Sequence, residues 1–249
     1  YGKLDDKFQI TNTNLIENKT SKIKITNHNS LNDIDLTNVD IIIDSSGKKE
    51  DIELLRKLPV SAVFLTHPNK DADINLILGV NEDNLDLKKH KIISTSSCNA
   101  TALLPALKLL DDKKTILCGD IVTIHPLLNH QRVLDGKYVE SQTRGVDCNF
   151  EFGRSSTQNI IPNKTTTIDA CSYVLPHINK NLITSNSLRV PTDTVGAINV
   201  TLFTKENSTK EEIIDIFKEY EQNQRFPIVL NNFEPLVSSD FKKENFTTI

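Results

Sequence analysis

The chain has 249 residues, 37% of them hydrophobic and 25% charged, with a formal net charge of −4 at pH 7. This length accommodates one large or two medium domains with a sizeable core, and the composition is ordinary for a soluble protein. The acidic net charge argues against a dedicated nucleic-acid surface. No apolar run approaches the roughly 18 residues of a membrane span. We therefore expect no nucleic-acid and no membrane partner.

Cysteine and histidine usage bears on compartment and on metal binding. Cys98, Cys118, Cys148 and Cys171 are widely spaced and form no Cys-x-x-Cys motif. That usage is typical of free thiols in a reducing compartment, so we expect a cytoplasmic protein. The 6 histidines form no His-x-x-x-His motif and no cluster with cysteine, which predicts the absence of a structural metal.

Strand and helix patterns alternate over the first ninety residues, which predicts βαβ units in a parallel sheet. We predict strands over 23–25, 39–44 and 61–66, and a helix over 50–58. The strand at 39–44 is continuously apolar, as in a parallel strand buried on both faces. It ends at Ser45, Ser46 and Gly47, a turn suited to the close approach of a ligand. The same three residues also fit an ordinary loop.

Cys98 is the first candidate for chemistry. An apolar strand ending near Ile93 gives way to small hydroxyl residues, and Cys98 then opens a helix with an apolar stripe. Free N–H groups and the positive end of the helix dipole favour a thiolate there. His125, at a later predicted strand end, would complete a Cys–His pair. The alternatives are an inert buried cysteine and a histidine with a core or surface role.

The pattern changes after Cys98. We predict strands over 121–125, 197–204 and 227–230, and helices over 165–175 and 210–220. Fewer and longer strands with helices to one side predict an α+β domain on a mainly antiparallel sheet. Arg189 suits a bidentate phosphate contact, and Thr165 and Thr166 offer hydroxyls at a helix start. An ordinary salt bridge and ordinary helix caps are the alternatives.

Several segments, in family order, resemble the glyceraldehyde-3-phosphate dehydrogenase family. Ser97-Cys98-Asn99-Ala100-Thr101 resembles the family's Ser-Cys-Thr-Thr-Asn nucleophile segment, and residues 119–136 resemble its histidine strand and following loop. Further similar segments lie at 78–81, 88–94, 154–162, 188–192 and 235–241. The resemblance extends over nearly the whole chain.

The resemblance implies an α/β architecture in two parts. Residues 1–97 would form a Rossmann-like, NAD(P)-binding domain that is incomplete at its N-terminus. Residues 98–249 would form the α+β catalytic domain, without its usual C-terminal end. It further implies a homotetramer and NAD as cofactor, with NADP not excluded.

The resemblance also implies the reaction and its residues. An aldehyde phosphate would be oxidised through a hemithioacetal and a thioester on Cys98, with His125 as the base, and inorganic phosphate would then attack the thioester. Ser97, Thr165 and Arg189 match substrate-phosphate positions, and Arg154 matches the arginine that opens a family signature. Asn99 and Thr166 are the remaining substrate-site positions. Ser46 and Gly47 match a cofactor-contacting turn.

Departures from the family pattern keep alternatives open. Asn99 replaces a usual Thr, Thr166 replaces a usual Gly, and Leu128 stands where the common form has a phosphate-binding Thr. The last change favours erythrose-4-phosphate dehydrogenase as the alternative activity. The sequence has 8 glycines and no Gly-x-Gly-x-x-Gly. We expect it to be incomplete at both ends, with a truncated, non-catalytic binding paralogue as the alternative.

Overall fold

A computed structural model describes residues 8–47, 51–136 and 150–249, which fall into two compact units, Tyr1–Val39 and Asp40–Ile249. The first unit contains an antiparallel sheet of β1 (Gln9–Asn12), β2 (Leu15–Glu17) and β3 (Lys22–Lys24). The βαβ alternation predicted for this stretch is therefore wrong, because its connections are far shorter than a parallel crossover needs. The strand predicted at 23–25 is present one residue earlier.

A four-stranded parallel sheet opens the second unit. Its elements are β4 (Ile41–Asp44), α1 (Ile52–Lys57), β5 (Ala62–Leu65), β6 (Ile74–Asn75) and β7 (Ile92–Ser94). The strand order is β4-β5-β7-β6, and every neighbouring pair is parallel. This confirms the predicted Rossmann-like sheet, whose carboxyl ends all face one edge.

Strand β4 differs from its prediction in burial. Ile41 and Ile43 are 53% and 68% exposed, whereas Val63 and Leu65 on β5 are buried. Burial on both faces is therefore wrong for β4, which is the edge strand of the described sheet. An apolar run predicts a strand, but it does not say how many neighbours will cover that strand.

Helix α2 (Cys98–Lys114) leads from the parallel sheet into a second sheet. That sheet contains β8 (Ile116–His125), β9 (Ile161–Asn163), β10 (Ile183–Arg189) and β11 (Ala197–Thr204), in the order β11-β8-β10-β9. The β8–β10 pair is parallel and the other two pairs are antiparallel, as a mainly antiparallel sheet requires. Helices α3 (Thr167–Ser172) and α4 (Lys210–Asn223) complete the fold. The predicted α/β class with an α+β part is confirmed.

The core lies between α2, α3 and the mixed sheet. Leu103, Leu104 and Leu107 of α2 pack with Ile121 of β8 and Ile183 of β10, all nearly inaccessible to solvent. Burying one such side chain contributes about 1.5–3 kcal/mol relative to exposure. This packing fixes the start of α2 against the end of β8. No helix in the described ranges is long and apolar enough to cross a membrane.

The strand predicted at 227–230 forms only an isolated bridge between Val229 and Thr248. The side chain of Gln224 takes the place of a strand partner. Its Oε1 accepts from the Ile228 and Val229 amides at 3.0 and 2.8 Å, and its Nε2 donates to the Val229 carbonyl at 2.8 Å. Similarly, the helix predicted over 165–175 is restricted to the six residues of α3.

Candidate active site

The junction between β7 and α2 presents Cys98 to solvent. Ser97 is the N-cap of α2, and its hydroxyl accepts a hydrogen bond from the Ala100 amide at 3.3 Å. Ser96 is buried and has a φ of 62°, a left-handed conformation that costs a non-glycine residue energy. The Ser94 hydroxyl accepts from the Ser96 amide at 3.1 Å. These hydrogen bonds hold a tight turn. The turn places the exposed Cys98 in the first turn of α2.

His125 is the last residue of β8 and faces Cys98. Its Nε2 lies 3.9 Å from Cys98 Sγ, and its Nδ1 lies 2.9 Å from the Pro126 carbonyl oxygen. A carbonyl only accepts, so Nδ1 carries the hydrogen and the lone pair of a neutral ring is on Nε2. The sulfur therefore faces the nitrogen that can take a proton.

Arg189 lies beside this pair, since it is aligned with His125 across the parallel β8–β10 ladder. Its Nε and Nη1 are buried and have no hydrogen-bond partner among the described residues. The described ranges also contain no carboxylate within ion-pair distance of it. Arg189 as a whole is half-buried, and even a partly buried guanidinium is normally paired. An unpaired one next to a reactive pair indicates a place for an anionic ligand.

The pKa of His125 and the pKa of Arg189 both depend on burial and on the charges of neighbouring groups. Burial lowers the pKa of His125 below its ordinary value of 6.5, and the Arg189 charge adds to this, while the hydrogen bond to Pro126 opposes it. Burial also lowers the pKa of Arg189, and its attraction to Cys98 acts in the opposite direction. His125 is therefore mostly neutral near pH 7 and is available as a base.

The loop after β8 is fixed by hydrogen bonds. The Leu128 amide donates to Gln131 Oε1 at 2.9 Å, and the Gln131 amide donates to the Leu128 carbonyl at 3.0 Å. The Leu127 amide donates to the Thr192 carbonyl at 2.9 Å. Gln131 is buried, and its Nε2 has no partner among the described residues. The half-buried Leu128 is thus held at a defined position three residues beyond His125.

The other predicted substrate-site residues are less directly associated with Cys98, His125 and Arg189. Asn99 is half-buried in the first turn of α2, next to Cys98. Thr165 and Thr166 precede α3, which packs against α2 and β10. Thr165 Oγ1 is 2.7 Å from Thr167 Oγ1, and Thr166 is an exposed N-cap without a side-chain cap bond. The structure therefore brings together Cys98, His125 and Arg189, and in the described ranges neither threonine hydrogen-bonds to them.

Ser46 and Gly47 follow β4 at the carboxyl edge of the parallel sheet, the edge at which β7 leads to Cys98. Ser46 N and Oγ donate to Asp44 Oδ1 at 3.0 and 2.7 Å. Asp44 Oδ2 is buried without a partner in the part of the chain described. Gly47 has a φ of +71°, and a Cβ there would meet nothing within 4 Å. Ser46 and Gly47 therefore lie at the carboxyl edge of the sheet, which is where dinucleotides bind in parallel sheets.

Two features of the site were not predicted from the sequence. The Pro126 carbonyl sets the hydrogen position on His125, and the left-handed Ser96 shapes the approach to Cys98. The His-Pro pair offered a weak signal, because proline retains its carbonyl acceptor. Serine at a positive φ offered none. Within the described ranges, no group of three His, Cys, Asp or Glu residues could hold a metal ion.

A Rossmann-like parallel sheet joined to an α+β part, with a Cys–His pair where the first leads into the second, is typical of a class of dinucleotide-linked oxidoreductases. Residues 97–249 match the family model described as glyceraldehyde 3-phosphate dehydrogenase, C-terminal domain. The chain therefore belongs to the glyceraldehyde-3-phosphate dehydrogenase family, as the resemblance of its motifs predicted.

Individual relatives agree with this family. The chain is 30% identical to glyceraldehyde-3-phosphate dehydrogenase 1 of Bacillus subtilis, with all of this chain and 73% of the relative covered. It is 34% identical to glyceraldehyde-3-phosphate dehydrogenase 2 of Streptomyces avermitilis over 82% of this chain and 58% of the relative. The glyceraldehyde-3-phosphate dehydrogenase of Buchnera aphidicola is 30% identical, covering 100% of this chain and 73% of that protein. Family membership indicates an oxidoreductase.

Proposed function

We propose that this chain oxidises an aldehyde phosphate with NAD(P), most simply glyceraldehyde 3-phosphate, and that Cys98 is the nucleophile. The observation that carries the proposal is the 3.9 Å approach of Cys98 Sγ to the unprotonated Nε2 of His125. An inert cysteine needs no such base. The exposed thiol at a helix start can also be reached by a substrate.

His125 acts first as the base. It takes the thiol proton as Cys98 Sγ bonds to the aldehyde carbon and then gives that proton to the former carbonyl oxygen, which becomes the hydroxyl of a hemithioacetal. His125 Nε2 then accepts the proton of this hydroxyl while the carbon is oxidised to a thioester. The Cys98 amide, in the first turn of α2, is a suitable donor to the developing oxyanion. Inorganic phosphate then displaces Cys98 and releases an acyl phosphate.

Ser46 and Gly47 would contact the cofactor at the carboxyl edge of the parallel sheet. A bound nicotinamide dinucleotide supplies the hydride acceptor. We propose NAD for this role, with NADP as the other possibility.

Arg189 is the proposed anchor for the substrate phosphate, because it is the half-buried cation beside the pair, two of its nitrogens are buried without a partner among the described residues, and a guanidinium matches a phosphate bidentately. The Ser97 hydroxyl accepts from Ala100 and still has its own hydrogen to donate. Asn99, Thr165 and Thr166 are proposed as further substrate-site residues. Either hydroxyl can be the donor in the contact between Thr165 and Thr167, so the Thr165 hydroxyl can donate to an anion when Thr167 donates to it.

Leu128 supports a second candidate. Its side chain supplies no hydroxyl at a position where the common family form has one for phosphate. Binding of a longer aldehyde, whose phosphate lies elsewhere, would not depend on that donor. Oxidation of erythrose 4-phosphate is therefore the alternative activity.

We further propose a division of the chain into a cofactor domain, 1–97, and a catalytic domain, 98–249. The family model supports this division, since its match begins at residue 97. A homotetramer in the cytoplasm is the proposed assembly and location.

Acyl trapping tests this function. The full-length protein is mixed with glyceraldehyde 3-phosphate and NAD without phosphate, quenched, and mapped by mass spectrometry. We expect the acyl group on Cys98, its disappearance on adding phosphate, and no change in Cys118→Ser. A parallel reaction with erythrose 4-phosphate decides between the two substrates. Failure to acylate Cys98 with either aldehyde, or NADH formation by Cys98→Ser, would overturn the proposal.

A further inference from the structure

A second concave site lies beside β6, the other edge strand of the parallel sheet. The cavity has a volume of about 460 Å³. Its lining comes from the segments on either side of β6, from the segment before β7 and from Tyr173 at the end of α3. None of the residues proposed above for catalysis, substrate binding or cofactor binding lines it.

Part of the cavity wall is rigid, because its polar groups are already bonded within the protein. Asn75 Nδ2 donates to the Asn69 carbonyl at 2.7 Å, and its Oδ1 accepts from the Asn69 amide at 3.2 Å. Asn81 Oδ1 accepts from the Ile77 amide and its Nδ2 donates to the Asn75 carbonyl, both at 2.9 Å. These two asparagines therefore shape the cavity and have little capacity left for a ligand.

Asp73 is also fully engaged. Its Oδ2 accepts from the Lys91 and Ile92 amides at 2.8 and 2.7 Å, and its Oδ1 accepts from Arg56. Burial alone would raise the pKa of Asp73, but these hydrogen bonds outweigh it and lower the pKa. The carboxylate is thus balanced by Arg56 and does not leave an uncompensated negative charge in the cavity.

The remaining polar groups of the wall are free donors. His90 Nδ1 accepts from the Asp86 amide at 3.1 Å, so the ring hydrogen is on Nε2. The side chains of Lys70, Asn84 and Tyr173 are exposed and have no hydrogen bond or ion pair with any described residue. The wall therefore supplies an ammonium, an imidazole N–H, an amide and a phenol, with one positive charge.

We propose that this cavity, which we call the β6 cavity, is a second binding site for a small phosphate monoester. One cationic donor together with three neutral donors matches an anion with several acceptor oxygens. A phosphate offers three terminal oxygens in a tetrahedral arrangement, whereas a carboxylate offers two in a plane. The volume leaves room for a short carbon skeleton beyond the phosphate. The site is separate from the anion position beside Arg189.

Equilibrium dialysis with labelled glycerol 3-phosphate tests the proposal in the full-length Arg189→Ala protein, which removes the anchor of the first anion site. We expect one saturable site per chain, with a Kd of about 1 mM or below. Inorganic phosphate should compete, and glycerate, which carries only a carboxylate, should not.

Three substitutions locate the site. Lys70→Ala and His90→Asn should each weaken binding roughly tenfold or more, the usual result of losing a hydrogen bond to a charged group. Asparagine retains an acceptor for the Asp86 amide but removes the Nε2 donor. Tyr173→Phe removes only the hydroxyl and should weaken binding severalfold. Lys88→Ala, an exposed neighbouring lysine outside the cavity, should leave binding unchanged.

The outcomes separate this site from the proposed function. If the Arg189→Ala protein binds no glycerol 3-phosphate, or binds it equally well after all three substitutions, the β6 cavity is not a phosphate site. If wild type and the Arg189→Ala protein both bind one equivalent that Lys70→Ala abolishes, the β6 cavity is confirmed and the phosphate role of Arg189 is wrong.

Discussion

Two arginines in the same unit have opposite surroundings. Arg56 on α1 contacts Asp73 and Glu53, and Asp73 in turn accepts from two strand amides. Arg189 on β10 is half-buried beside Cys98 and His125, and two of its nitrogens are buried without a partner within the described ranges. The first cluster joins α1, β6 and β7 with its charges balanced. The second leaves a positive charge facing the candidate nucleophile.

This difference distinguishes charged residues that stabilise the fold from charged residues that are available to bind a ligand. Breaking an exposed ion pair changes stability modestly, whereas removing one partner of a buried and hydrogen-bonded pair costs more. An unpaired buried charge is itself costly unless a ligand compensates it. Changes at Asp73 should therefore affect stability and not chemistry. Removing the Arg189 charge should impair chemistry without lowering stability.

The largest expected effect is at His125. His125→Asn should lower the rate of hydride transfer roughly 10²–10⁴-fold, the usual contribution of a positioned base, with cofactor binding unchanged. Single-turnover kinetics and a cofactor titration measure the two properties. His130→Asn, an exposed histidine of the following loop, is the control. Equal rates in wild type and His125→Asn would refute the Cys–His pairing.

Arg189→Ala should reduce kcat/KM for glyceraldehyde 3-phosphate roughly 10²–10³-fold, because a buried charged anchor is lost. It should also raise the pKa of His125, since the Arg189 charge is one cause that lowers it. Steady-state kinetics and an NMR titration of His125 measure both effects. Arg225→Ala, an exposed arginine elsewhere, should change neither. Normal kcat/KM in Arg189→Ala would place the phosphate elsewhere.

Asp73→Ala should reduce the free energy of unfolding by about 2–4 kcal/mol, because Arg56 and two strand amides lose their acceptor. Turnover per folded molecule should not change. Asp112→Ala breaks an exposed pair with Lys108 and should cost no more than about 1 kcal/mol. Urea denaturation and activity assays supply the test. Loss of turnover in the folded Asp73→Ala protein would contradict the claim that Asp73 affects stability and not chemistry.

The pH dependence of the Asp73 contribution has a definite sign. The pKa of Asp73 is lower in the folded protein than its ordinary value of 3.8. Its contribution is therefore present above the unfolded pKa and is lost as the pH falls through the folded pKa. Asp73→Ala and wild type should converge in stability toward that acid limit.

Leu128→Thr should improve the use of glyceraldehyde 3-phosphate by roughly 10–100-fold in kcat/KM, the effect of one added hydrogen bond to a charged group. Use of erythrose 4-phosphate should change less. The comparison requires both aldehydes with both proteins. If wild type already prefers the three-carbon substrate and Leu128→Thr changes nothing, this explanation of the pocket fails.

The sequence predicted the positions of strands and helices better than it predicted which segments would pack against them. The strand at 197–204 and the helix start at Lys210 are present as predicted, since both have clear periodicity. The exposure of Ile41 and the replacement of a strand partner by Gln224 depend on distant chain segments, which a local pattern does not contain. Cys98 and His125 were predicted from their positions at strand ends, and the family resemblance supported both of them and Arg189. The proximity of His125 and Arg189 follows from the parallel pairing of β8 with β10. The left-handed Ser96 and the partners of Thr165 could only be obtained from coordinates.

The most direct test of the central claim is the rate of alkylation at each cysteine. Cys171 is buried, and burial raises the pKa of its thiol to about 12, so it should be inert. Cys118 is exposed, and no histidine among the described residues hydrogen-bonds to it. Cys148 lies outside the described residues. Peptide mapping after limited iodoacetamide treatment should show Cys98 labelled far faster than the other three, with activity lost in step, and the rate at Cys98 should fall in His125→Asn. Uniform labelling of the cysteines, or full turnover after Cys98 is alkylated, would contradict the account.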